Sequence, residues 1–251
     1  MLRDKPRHRL YVAADLAQGA AVPLDAAQAH YLGTVLRYIA GDEVAVFNGR
    51  DGEWQAIISG IGRKSATLTL GSCLRNQSAE PDLWLCFAPI KHARVDLVAE
   101  KAGELGVSVL QPVLTRRTNA ARVNVERLAA NAREAAEQCE RLTVPEVRAP
   151  VRLDALLSAW PADRRLLFCD EAGGRPIADA LAAEQPRGAA SPWAVLVGPE
   201  GGFDDGERAM LRANAAALPV SLGPRLLRAD TAAIAALALW QAHLGDWRAG
   251  H

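Results

Sequence analysis

The chain has 251 residues, 50% of them hydrophobic, and its 29 basic and 29 acidic side chains cancel to a net charge of zero. That length supports one large or two modest domains with real cores, and no apolar run approaches the ~20 residues a membrane helix needs. Cys73, Cys86, Cys139 and Cys169 lack Cys-x-x-Cys spacing, and His30, His92 and His243 lack ligand spacing. Neither a disulfide framework nor a metal site is therefore expected. The basic stretch at residues 1–9 is followed by no hydrophobic segment of the signal-peptide kind, so a cytoplasmic location is expected.

In chain order, residues 10–12, 43–47, 53–59 and 66–70 read as β-type runs, with Asn48-Gly49-Arg50-Asp51-Gly52 as a hairpin turn. Asp25 with Gln28 has the spacing of a helix start, and the helix runs through His30 to about Arg37. A small β domain over residues 1–72 is expected, followed by a polar linker at 73–82. Over residues 83–251 strands and helices alternate. Strands are expected at 83–88, 107–113, 166–169, 194–197 and 220–222, and helices at 95–105, 125–141, 153–160, 177–184, 205–217 and 231–243. Such alternation predicts an α/β fold with a mainly parallel sheet.

Two glycine-rich turns end this half, Gly198-Pro199-Glu200-Gly201-Gly202-Phe203 and Leu222-Gly223-Pro224-Arg225-Leu226-Leu227-Arg228. Each joins a strand-like run to a helix, with Asp204 and Glu207 spaced as a capping box after the first and Asp230 or Thr231 available as the cap after the second. Glycine at such corners allows backbone groups to approach a ligand closely, and open α/β sheets bind ligands at the carboxyl ends of their strands. Neither turn has the spacing of a P-loop or a dinucleotide fingerprint, which leaves a nucleoside-like ligand.

These turns, with Glu137-Gln138-Cys139-Glu140-Arg141, the 101–107 segment Lys-Ala-Gly-Glu-Leu-Gly-Val, and the amino-terminal stretches 8–12 and 30–37, resemble the RsmE family of 16S ribosomal RNA (uridine-N3) methyltransferases. The resemblance covers nearly the whole chain. It implies a SPOUT-class knotted methyltransferase domain that binds S-adenosylmethionine, a PUA-like RNA-binding barrel before it, and a homodimer through the carboxyl-terminal domain. Two positions depart from the family pattern, which usually has Gly at Glu140 and Glu at Asp230.

On this resemblance the cofactor is held by Leu196, Gly198, Pro199, Glu200, Gly201, Gly202, Leu222, Gly223, Arg225, Leu226, Leu227, Arg228 and Thr231. Methyl transfer to uracil N3 requires loss of the N3 proton and stabilisation of negative charge on O2 and O4, a task suited to positioned arginines. Arg225 and Arg228 are the candidates for those contacts, with Glu200 and Asp230 as proton acceptors; Asp230 also suits a helix N-cap. RNA contacts are expected from Arg3, Lys5, Arg7 and Arg9, from Arg37, Lys91, Lys101, Arg116, Arg117 and Arg122, and from Glu137, Gln138 and Arg141. Ile234, Leu237, Leu239 and Trp240 offer an apolar helix face for the dimer or for the chain's own core. A non-catalytic RNA-binding or assembly factor that retains the cofactor fold is the alternative.

Overall fold

The computed structural model describes residues 6–90, 92–118, 123–184 and 191–248. Arg3, Lys5, Lys91 and Arg122, all expected to touch RNA, lie outside them. The chain divides into two compact units, residues 1–79 with 136–144, and residues 80–135 with 145–251.

The first unit is built on a five-stranded sheet in the order β1-β3-β4-β5-β2, from β1 (Arg9–Tyr11), β2 (Ala21–Leu24), β3 (Glu43–Phe47), β4 (Glu53–Ile61) and β5 (Ala66–Arg75). Alternate residues supply one core, in which Leu10, Val22, Val44, Val46, Ala56, Ile58, Leu68 and Leu70 are buried. β2 escapes sequence reading because its four residues, Ala-Val-Pro-Leu, alternate exposed and buried over only two periods. β5 runs to Arg75, three residues into the segment expected to be linker. The Asp25–Gln28 capping box forms as expected at the start of α1 (Ala26–His30). That helix then widens into a π-helical turn at Tyr31–Val35 and stops at Arg37, whose φ is +61°.

Arg9 is buried rather than displayed to a ligand. It ion-pairs with Glu53, donates from Nη1 to the Ala136 and Glu137 carbonyls at 2.8 and 2.9 Å, and donates from Nη2 to the Arg141 carbonyl at 2.6 Å. Arg75 Nε closes the other side of Glu53 at 2.7 Å. Burial alone would raise the Glu53 carboxyl, but hydrogen bonds from Arg75 and Arg9 outweigh it and lower the pKa below the ordinary 4.5.

The second unit carries an eight-stranded sheet whose pairings among the described residues are all parallel. The order β11-β13-β10-β12-β6-β7-β8 uses β6 (Leu83–Phe87), β7 (Val109–Leu114), β8 (Glu146–Val147), β10 (Arg165–Cys169), β11 (Arg175–Pro176), β12 (Trp193–Val197) and β13 (Ala217–Ser221), while β9 (Val151–Arg152) pairs with β7. Successive strand residues feed opposite faces. Leu85, Leu167, Val195 and Val197 pack against α2 (His92–Glu104), α5 (Ile177–Ala183) and α7 (Ala229–His243). Cys86, Phe168, Ala194 and Leu196 pack on the other side with α4 (Leu153–Ser158) and α6 (Asp205–Ala213). Each fully buried Leu or Phe on these faces contributes about 1.5–3 kcal/mol.

The expected helix over 205–217 ends early. Asn214 stops it by accepting the Ala216 N–H on its side chain at 2.9 Å and the Ala217 N–H on its carbonyl at 2.9 Å, and β13 begins at Ala217. α3 (Val125–Gln138) likewise stops three residues short of the expected end, because Glu140 adopts a left-handed φ of +62°. None of the described helices is long and apolar enough to cross a membrane.

Candidate cofactor site

The carboxyl ends of β10, β12 and β13 open into a cleft of about 270 Å³. Its walls are Cys169, Asp170 and Glu171 after β10, Val197 to Glu200 with Gly202 after β12, and Val220 to Leu227 with Ala229 and Ala232 from β13 into α7. Three parallel strands deliver three loops to one place, as the rule for open α/β sheets anticipates.

The glycines of these turns have separate reasons. A Cβ on Gly198 would meet the Phe203 ring at 2.6 Å, so Gly198 is required by packing of the turn upon itself. Gly202 has a φ of +67°, and a Cβ there would stand 2.3 Å from Glu171 Oε1. Gly223 has a φ of +103° with open space beside it, so conformation alone selects glycine at that corner. The first turn then enters α6 through the expected capping box, with Asp204 accepting from Glu207 N at 2.7 Å and Glu207 accepting from Asp204 N at 3.1 Å. The Glu207 N–H, helped by Arg116, holds the Asp204 carboxyl below the usual carboxylate range.

Of the residues expected to hold a cofactor, Gly198, Pro199, Glu200, Gly202, Leu222, Gly223, Arg225, Leu226 and Leu227 line the cleft. Leu196, Gly201, Arg228 and Thr231 do not. Leu196 faces the opposite core layer, Gly201 lies beside Arg117, and Arg228 and Thr231 are exposed. Among the described residues neither Arg225 nor Arg228 has an ion pair, so both guanidiniums remain available. Asp230 is not the N-cap of α7. Arg228 holds that position without a side-chain bond, while Asp230 accepts from Thr231 N at 2.9 Å and pairs with Arg94 at 3.2 Å.

The residues expected to bind RNA divide similarly. Arg7, Arg37 and Gln138 are exposed. Arg116 pairs with Asp204 at 3.2 Å, an acid that adjacency in sequence did not reveal, and Arg117 donates to the Gly201 carbonyl at 2.8 Å. Lys101 sits between Glu100 and Glu104 at 2.8 Å each, and those two carboxylates raise its pKa. Glu137 takes the Tyr11 N–H at 2.8 Å, and Arg141 is buried with Nη2 on Thr143. Arg9, Glu137 and Arg141 thus belong to the internal structure of the first unit.

Sequence reading missed the β10 wall. Cys169 is a buried lining residue whose thiol burial pushes up to about 12, which keeps it neutral. Asp170 and Glu171 were visible only as adjacent acids, and their partners Arg208 and Arg212 lie far along the chain.

The profile of the RNA methyltransferase domain family matches residues 77–241, and that of the RNA methyltransferase PUA domain matches residues 24–71. The chain is 32% identical to ribosomal RNA small subunit methyltransferase E of Rickettsia conorii over 92% of its own length and 93% of that relative. It is 34% identical to the protein of the same name from Synechocystis, covering 92% of this chain and 76% of that one. Among solved structures, a putative methyltransferase of Legionella pneumophila in complex with its bound cofactor SAM superposes with a TM-score of 0.84 at 30% identity, over 95% of this chain and 98% of that one. The S-adenosyl methionine-bound ribosomal RNA small subunit methyltransferase E of Neisseria gonorrhoeae gives 0.83 at 26%, over 97% and 99%. With one profile over most of its length, a second over the β unit and near full-length relatives above 30% identity, the chain belongs to the ribosomal RNA small subunit methyltransferase E family.

Proposed function

We propose that this enzyme transfers a methyl group from S-adenosylmethionine to N3 of one uridine in the 16S ribosomal RNA of the small ribosomal subunit. Family membership carries the general reaction, methylation of small-subunit ribosomal RNA. The observation that carries the assignment to this site is the cleft itself, where three strand ends meet. Its donor set fits the cofactor. Val197, Val220, Leu222, Leu227 and Ala232 provide apolar surface for a purine ring, the two turns provide backbone groups, and Glu171 and Glu200 provide acceptors for hydroxyl or ammonium donors.

When bound, S-adenosylmethionine supplies an electrophilic methyl group on a sulfonium. The chain's own residues must align the uracil ring, accept the N3 proton and offset the charge that spreads onto O2 and O4. Alignment in a rigid site accounts for a large share of such catalysis, with effective molarities of about 10⁵ M or more. Arg225 lines the cleft and Arg228 stands exposed beside it, and the freedom of both from ion pairs among the described residues suits them to the uracil oxygens or the target phosphate. Glu200, exposed on the cleft wall, is the better proton acceptor. Asp230 is occupied by Arg94 and acts as a positioning residue for the start of α7.

Arg7 and Arg37 in the β unit, with Arg116 and Arg117 beside the first turn, are proposed to contact RNA phosphates. The same reading includes the knotted path, a cytoplasmic location and a homodimer. Leu237 and Trp240 are buried in the chain's own core and Leu239 packs against it, so the dimer face would centre on the half-buried Ile234. A monomeric mass by light scattering at micromolar concentration contradicts the dimer. For the cofactor, a thermal shift with S-adenosylmethionine and none with NAD is expected, since a ligand at 100 times its Kd adds about 2.7 kcal/mol. Equal shifts, or a shift with NAD alone, overturn the assignment.

A further inference from the structure

Two acids follow β10 into the cleft, and their hydrogen bonds differ. Asp170, whose side chain is fully buried, accepts from Arg208 Nε at 3.1 Å, from Arg212 Nε and Nη2 at 2.9 and 2.5 Å, and from Ala172 N at 3.0 Å. Its acceptor capacity is used within the protein. Glu171 Oε1 accepts the Phe203 N–H at 3.2 Å and pairs with Arg208, but Oε2 takes no hydrogen bond among the described residues. The Glu171 side chain is 31% exposed and lines the cleft.

Arg208 ties this arrangement together. Its Nη2 also donates to the Phe203 carbonyl at 3.2 Å, so one guanidinium spans the end of β10 and the first glycine turn. Burial would lower the Arg208 pKa, and the hydrogen bonds to Asp170 and Glu171 outweigh that and raise it. Glu171 therefore stands at a fixed place with a permanently charged partner on one oxygen.

We propose that Glu171 is a cofactor-recognition residue whose remaining carboxylate oxygen accepts the ribose hydroxyls of the bound nucleoside. The inference rests on the S-adenosylmethionine reading of the cleft. Two ligand features are candidates for this carboxylate, the sulfonium and the vicinal diol. A carboxylate beside the sulfonium would stabilise a charge that methyl transfer discharges, favouring the ground state over the transition state. The diol carries no such penalty, and acidic side chains accept ribose hydroxyls in dinucleotide sites for the same chemical reason. Arg208 already offsets the Glu171 charge, which suits a neutral donor better than a cation.

Calorimetry on the full-length protein separates the alternatives, with four probes: S-adenosylmethionine, S-adenosylhomocysteine, 5′-methylthioadenosine, and the 2′,3′-dideoxy form of 5′-methylthioadenosine. In the wild type, loss of the diol is expected to weaken 5′-methylthioadenosine at least about ten-fold, the scale of a hydrogen bond to a charged group. In Glu171→Ala the two nucleosides should bind within about three-fold of one another, because the diol has lost its acceptor. Glu171→Gln retains an acceptor for the Phe203 N–H and should fall between them, which keeps the comparison available if the alanine variant misfolds. An undiminished diol effect in both variants overturns the proposal. So does a loss in Glu171→Gln confined to S-adenosylmethionine with S-adenosylhomocysteine unaffected, which would assign the carboxylate to the sulfonium. If the wild type binds none of these ligands, the cofactor reading itself fails.

Discussion

Glu53 in the β unit and Asp170 in the α/β unit are built alike, each a carboxylate with no side-chain exposure gripped by two guanidiniums. They serve different ends. Glu53 lines no part of the cleft, and its partner Arg9 goes on to bind the carbonyls of Ala136, Glu137 and Arg141, so the cluster stitches the 136–144 segment to the β-sheet. Asp170 lies at a strand end, and its cluster fixes two walls of the cleft. A buried acid between arginines is thus no signature of function. Its place relative to strand ends decides what it does.

The largest expected effect tests the structural half of this comparison. Glu53→Ala leaves Arg9 buried without its carboxylate and should cost about 3–5 kcal/mol, read from urea unfolding of the β unit. A loss below about 1 kcal/mol would show the cluster to be dispensable. Acid should act on the same group. The folded Glu53 pKa lies below 4.5, so its contribution is present above that value and is lost as pH falls through the lower folded one. Glu53→Gln should flatten the stability profile in that window.

Arg228, in contrast to Arg9, is exposed and has no ion pair among the described residues. Arg228→Ala should lower the methylation rate at saturating RNA by about 10²-fold while changing RNA affinity less, as for a donor aimed at developing charge. Single-turnover methylation over a salt series measures both. If only affinity moves, Arg228 is a docking residue. Arg7→Ala should show that opposite pattern, losing about one unit of salt slope for one phosphate contact.

The smallest effect concerns the end of α3. Glu140 holds a left-handed φ of +62°, where an L side chain is strained and glycine is not. Glu140→Gly should therefore stabilise the β unit by roughly 0.5–1 kcal/mol, with the Arg75 bond to the residue's carbonyl retained. Destabilisation in thermal unfolding would mean that the Glu140 side chain contributes more than its backbone costs.

Much of this was legible in the sequence because it is local. Period-two and helical patterning located most strands and helices, and the two capping boxes formed where Asp25–Gln28 and Asp204–Glu207 predicted them. The glycine turns led directly to two walls of the cleft. What stayed hidden depends on long-range partners. Arg9 read as an exposed terminal cation because nothing nearby in sequence discloses Glu53 or the carbonyls of 136–141. Asp170 and Glu171 show in the sequence only as neighbouring acids, because Arg208 and Arg212 sit some forty residues further on. The strand expected at 220–222 starts three residues earlier, at Ala217, because alanines favour helix and the stop is made by one asparagine.

Methyl transfer to N3 of a single uridine can be read out by incubating the purified protein with S-adenosylmethionine and either stripped 16S ribosomal RNA or intact small subunits that lack the modification. Nucleoside mass spectrometry then locates the product. One 3-methyluridine at one position is expected, abolished when Arg225 and Arg228 are both replaced by alanine in a protein that still binds the cofactor. Cofactor binding without transfer to either substrate, or a methyl group found on a different atom, would contradict it.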